Sequence, residues 1–198
     1  MSFLACVAPL LQVLTPSAVK TLPIFLVDNG SRRAASTLAL RGAAAQLQTL
    51  LGRQVEPVSL GFSHEVPAAD LEGVQARTLQ QAVLTLAARR DAPIAIVVPL
   101  FLGPSRSLTK AVAECHDELL REGLPLELAV AGCLVDERLP EDDRVARALA
   151  ALVLQIKESE RLQPPIKVAL VDHGTPSRAV KYMPSQLLIG NKLAFRVY

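Results

Sequence analysis

Three histidines, His64, His116 and His173, supply every imidazole in the chain. Imidazole can hold a borderline divalent metal and also exchange a proton near neutral pH. His173 has the sharpest setting, closing an apolar run in Val171-Asp172-His173-Gly174-Thr175. The same pattern stands earlier in the chain as Val27-Asp28-Asn29-Gly30-Ser31, with asparagine in the histidine position. An asparagine still donates and accepts hydrogen bonds, but it takes up no proton and is a poor metal ligand. His64, in Phe62-Ser63-His64-Glu65, and His116, beside Cys115, have no such frame and read as exposed or capping residues. Arg32 and Arg33 follow Gly30-Ser31 directly, and Arg106 and Lys110 lie in or just after Gly103-Pro104-Ser105-Arg106-Ser107. Cations at a helix start oppose the helix dipole, so their placement there points to an anionic ligand.

These residues need elements to position them. Ile24–Asp28 reads as a strand that stops at Asn29-Gly30, and Ala34–Leu51 follows as a helix with Gly52 as its C-terminal stop. Glu56–Leu60 is a second strand, Leu79–Arg89 a second helix, and Ile94–Leu102 an apolar run buried on both faces. Leu108–Glu122 is a third helix, Leu126–Ala131 a fourth strand and Arg144–Glu160 a fourth helix. Strands alternating with long helices require parallel pairing with crossover connections. The expected fold is therefore a doubly wound α/β domain with a four-stranded parallel sheet. With the common strand order 2-1-3-4, ligands would sit beyond the carboxyl ends of strands one and three, between Asp28–Ser31 and Pro99–Ser107.

The matching Asp28 and Asp172 segments indicate an internal repeat. Three regions follow: an N-terminal extension at 1–21, an α/β domain at 22–162, and a linker with the start of a second copy at 163–198. Gln163-Pro164-Pro165 is the linker, and Ile166–Asp172 is a fifth strand. The second copy ends far short of the roughly 100 residues such a domain needs. Residues 182–198 follow neither helical nor strand periodicity and read as the product of a frameshift or a fragmentary gene.

Composition narrows the function classes. Apolar residues make up 51% of the chain, enough for a core, yet no stretch reaches the roughly 20 apolar residues that span a bilayer. The 21 basic and 19 acidic residues are interspersed, leaving no basic stripe for nucleic acid. Cys6, Cys115 and Cys133 form no CxxC pair and fit a reducing, cytoplasmic setting. The apolar start of the chain has no basic n-region, which argues against a secretory signal.

Val171-Asp172-His173-Gly174-Thr175, Val98-Pro99-Leu100-Phe101-Leu102 and, apart from its asparagine, Val27-Asp28-Asn29-Gly30-Ser31 resemble the motifs of the sirohydrochlorin cobaltochelatases and ferrochelatases. The strand spacing from Leu22 to Ala150 agrees with one domain of that family. The resemblance implies insertion of Co²⁺ or Fe²⁺, as substrate metal, into a tetrapyrrole, in cobalamin or siroheme biosynthesis, with no permanently bound cofactor. It implies His173 as catalytic residue and metal ligand. It also implies a substrate-binding surface at Asn29, Gly30, Ser31, Arg32, Arg33, Ser105, Arg106 and Ser107, since sirohydrochlorin is a polycarboxylate. The family's second histidine would fall at Ser107, so the first copy lacks both imidazoles. Expected partners are the tetrapyrrole and a divalent metal, with a homodimer as one option. Two alternatives remain: a tetrapyrrole- or metal-binding homologue without activity, and an α/β enzyme holding a phosphate ligand at the Gly30-Ser31 and Gly103-Pro104-Ser105 loops.

Overall fold

Short apolar runs that cannot bury both faces alone alternate here with helices that can cover them. The computed structural model, which describes residues 22–135, 141–163 and 166–168, joins four of them in one parallel sheet. The strands are β1 (Ile24–Asp28), β2 (Val55–Ser59), β3 (Ile94–Pro99) and β4 (Glu127–Val130), in the order β2-β1-β3-β4. The helices are α1 (Ala34–Leu51), α2 (Leu79–Arg89), α3 (Arg106–Arg121) and α4 (Arg144–Ser159). This is the parallel α/β sheet expected from the sequence, in the expected order.

β1 lies between two partners, with Val27 opposite both Val58 and Pro99. Its residues alternate between two cores. Phe25 and Val27 pack with Val58, Ala95 and Val97 against Leu79 and Val83 of α2 and Leu108, Val112 and Cys115 of α3. Ile24 and Leu26 pack with Leu40 and Ala44 of α1 on the other face. Because both faces are covered, Ile24–Val27 carries no polar position, and all four residues are buried. Ile96 and Val98 face the α1 side and remain only partly buried, the single helix α1 being the one that packs there in this core.

β3 stops earlier than its apolar run. The register turns the nitrogen of Pro99 towards β4, where it has no N–H to donate, while on the β1 side the Leu100 N–H still donates to the Val27 carbonyl at 2.7 Å. Ser105 and Arg106 then open α3, two residues before the start expected at Leu108. β2 and β4 are the outer strands. β2 carries Pro57, whereas β4 leaves Glu127 and Val130 exposed.

Helix starts are set by local chemistry. Thr78 Oγ1 accepts the Gln81 N–H at 3.2 Å, and Gln81 Oε1 accepts the Thr78 N–H at 2.9 Å, a reciprocal cap on α2. Thr78→Ala should cost about 1 kcal/mol, read as a lower denaturant midpoint with an unchanged slope. Thr37 on α1 shows the reverse case. It is buried, and its hydroxyl has no hydrogen-bond partner among the described residues. Thr37→Val keeps the shape and removes the stranded polar atom, so it should stabilise the protein by about 1 kcal/mol in the same measurement.

The chain divides into two compact units, one with residues 22–101 and 105–132, the other with 102–104 and the described residues from 133 onward. The division falls inside the span 22–162 that the sequence reads as one domain. In the second unit the Val135 N–H donates to the Leu102 carbonyl at 2.9 Å, and no residue of α4 is buried. Of the strand expected at Ile166–Asp172, only 166–168 are described, and they carry no strand assignment. The rest of the expected second copy, with His173, and the tail at 182–198 lie outside the described residues. No helix among the described residues is long and apolar enough to cross a membrane.

Candidate functional site

Parallel strands deliver their carboxyl ends to one edge, so the loops after β1 and β2 and the start of α3 share that edge of the first unit. The loop after β1 is anchored before it turns. Asp28 is half-buried at the strand end, where the Ser59 hydroxyl donates to its Oδ1 at 2.6 Å and the Gly30 N–H also binds the carboxylate. Desolvation is the largest influence on this group and raises its pKa, while those hydrogen bonds pull in the opposite direction. A carboxyl raised in the folded state favours folding most when protonated, so its contribution is complete below the ordinary value of 3.8 and declines as pH rises through the raised value. The stability of the wild type relative to Asp28→Asn should therefore increase as pH falls through that window.

From Asp28 a hydrogen-bond chain crosses into the loop after β2. Ser59 Oγ lies 3.0 Å from the buried Ser63 Oγ, which accepts the Ser31 N–H at 3.1 Å. The Leu60 N–H donates to the Asp28 carbonyl at 2.9 Å. Gly30 sits at φ +85°, and a Cβ added there would lie 1.8 Å from the Gly61 carbonyl oxygen. The two loops thus touch backbone to backbone. Above them Arg32 forms a two-pronged ion pair with Glu65, Nε to Oε2 at 2.7 Å and Nη2 to Oε1 at 3.2 Å, with its guanidinium 4.7 Å from the centre of the Phe62 ring. Arg32 lowers the Glu65 pKa, chiefly through these hydrogen bonds.

Several expected ligand groups have structural duties. Ser31 Oγ accepts the Arg33 N–H at 3.1 Å, and Ser105 Oγ caps α3 by accepting the Leu108 N–H at 3.4 Å. Ser107 lies in the first turn of α3 and not in the preceding loop, because the cap at Ser105 starts the helix before it. Lys110 pairs with Glu114 at 3.6 Å. Asn29 is exposed at the strand end, and Arg33 and Arg106 are exposed without a carboxylate partner among the described residues. Gly103 and Pro104 fall in the second unit.

Glu65, Phe62, Ser59 and Ser63 are the residues that sequence reasoning left out. The rule that placed the site at strand carboxyl ends applies equally to the loop after β2. His64 occupies that loop in a short 3-10 turn, Ser63–Glu65, and is exposed, as is His116 on α3. Beside His116, burial pushes the Cys115 thiol up to about 11, which removes it as a thiolate ligand near neutral pH. No group of three or more His, Cys, Asp or Glu among the described residues is placed to hold a metal ion.

No protein-family model matches the chain, and no curated protein matches it either.

Proposed function

We propose that the chain is a sirohydrochlorin chelatase-like protein, with the tetrapyrrole as ligand and Co²⁺ or Fe²⁺ as substrate metal. On this reading its first unit binds the tetrapyrrole at the carboxyl edge of the sheet without inserting metal. The observation that carries it is the convergence of Asn29, Arg32, Arg33 and Arg106 on that edge of a β2-β1-β3-β4 sheet, around an asparagine where the motif has histidine. Guanidinium groups recognise carboxylates in a two-pronged geometry, and a polycarboxylate ligand uses several at once. Metal insertion further requires a base for two pyrrole protons and a ligand to deliver the ion. Asn29 and Ser107 provide neither. The exposed Asn29 can still hydrogen-bond the bound ligand.

The absence of a metal-ligand cluster among the described residues favours a second reading, in which the protein carries or sequesters the tetrapyrrole. Titration of the full-length protein with sirohydrochlorin, with and without Co²⁺, separates the two. In the full-length protein, Co²⁺ insertion above the spontaneous rate that His173→Ala abolishes supports the first reading, whereas a shift in the tetrapyrrole spectrum on binding with no insertion supports the second. Saturable insertion by a His173→Ala protein would place catalysis in the first unit and overturn this account. No spectral change at all would remove the tetrapyrrole from consideration.

A further inference from the structure

Arg32 and Glu65 are 33 positions apart, on two loops locked by the Ser31 N–H to Ser63 Oγ bond and by the contact of Gly30 with Gly61. Phe62 and Glu65 share one tight turn, closed by the Glu65 N–H donating to the Phe62 carbonyl at 3.0 Å. Phe62 itself adopts φ 62°, unusual for a bulky residue, and in that conformation its ring lies under the Arg32 guanidinium. The result is a guanidinium with one face on an aromatic ring and its Nε/Nη2 edge offered to a carboxylate. Glu65 fills that edge with both oxygens.

We propose that the Arg32–Phe62 pair is a carboxylate-binding point of the tetrapyrrole site and that Glu65 is its built-in competitor. This inference rests on the tetrapyrrole reading above. The Arg32 and Glu65 side chains are 66% and 43% exposed, so their attraction is screened by water and the pair exchanges readily. Because the loop backbones are pinned, Glu65 leaves by rotating its side chain, without a loop opening. A ligand with one carboxylate only trades places with Glu65 and gains little. A polycarboxylate that also engages Arg33 or Arg106 displaces it, so the latch selects for ligands with several acidic groups.

Sirohydrochlorin titrations of wild type, Glu65→Gln, Arg32→Gln and the double variant test this, with circular dichroism confirming that each is folded. Removing the competitor should tighten binding about threefold to fivefold. Arg32→Gln should weaken it about tenfold, and adding Glu65→Gln to that background should change nothing further. Asp70→Asn, the same change of charge on the neighbouring 3-10 turn, should leave affinity near the wild-type value. Wild-type binding that Glu65→Gln leaves unaltered, or that Asp70→Asn tightens equally, overturns the competitor role and spares the tetrapyrrole reading. No binding by any of the proteins overturns both.

Discussion

On the proposed reading, Asn29→His together with Ser107→His should give the first unit the ability to insert Co²⁺ into sirohydrochlorin. Both positions are exposed at the carboxyl edge of the sheet, Asn29 directly after β1 and Ser107 in the first turn of α3. Neither substitution disturbs a buried contact, and neither residue provides a hydrogen bond on which its loop depends. A positioned general base contributes about 10²- to 10⁴-fold, so the gain over wild type should be at least about a hundredfold. Either single variant should show far less, because delivering the metal and accepting protons both require imidazole. The assay is best run on the full chain carrying His173→Ala, so that the remaining candidate ligand contributes nothing. A folded double variant that binds the tetrapyrrole yet inserts no Co²⁺ would mean that the missing imidazoles are not what silences the site.

Gly30→Ala should be the most damaging single substitution near the site. The residue has φ +85°, which costs an alanine about 1–2 kcal/mol by itself. The added Cβ would also stand 1.8 Å from the Gly61 oxygen and 2.9 Å from its carbon, and both obstacles are backbone. No side-chain rotation relieves such a clash. The loops after β1 and β2 must separate, which breaks the Leu60 N–H bond to the Asp28 carbonyl and strands Ser63. A total loss of about 3–5 kcal/mol follows. Gly52→Ala is the natural control. It also has a positive φ, 62°, but nothing lies within 4 Å of its added Cβ, so about 1–2 kcal/mol is expected there. Equal losses for the two variants in urea denaturation would show that the close approach of Gly30 to Gly61 has no energetic weight.

The fold was legible wherever periodicity and burial coincide. Ile24–Asp28, Ala34–Leu51 and Leu79–Arg89 have the bounds read from the sequence, because each ends at a residue with its own stop signal: Asp28 before Asn29-Gly30, Leu51 before Gly52, Arg89 before a left-handed Arg90. β3 was read too long because hydrophobicity continues through Phe101 and Leu102, while the proline at 99 withholds the next donor to β4 and the strand ends there. The 3-10 turns at Ser63–Glu65 and Ala68–Leu71 were missed, since three or four residues contain no full period. In the candidate site, the edge on which Asn29, Arg32 and Arg106 lie was predictable from strand order alone. The occupancy of Arg32 was not. Its partner Glu65 belongs to another loop, brought alongside by the packing of Gly30 on Gly61 and the Ser31 N–H bond to Ser63 Oγ. The basic residues at the start of α1 looked uniformly available, whereas one is paired and Arg33 is not.

The two borders of the sheet also differ in what they permit. β2 presents Pro57, which has no N–H to offer and so breaks any continuous row of donors along that side. β4 is four residues long, and among the described residues no strand pairs with its outer side. On the β2 border the other outward N–H groups are engaged as well, Val55 by Gln48 Oε1 at 3.3 Å and Ser59 by the Arg77 carbonyl at 3.2 Å, so that side of the sheet offers no donor to a further strand.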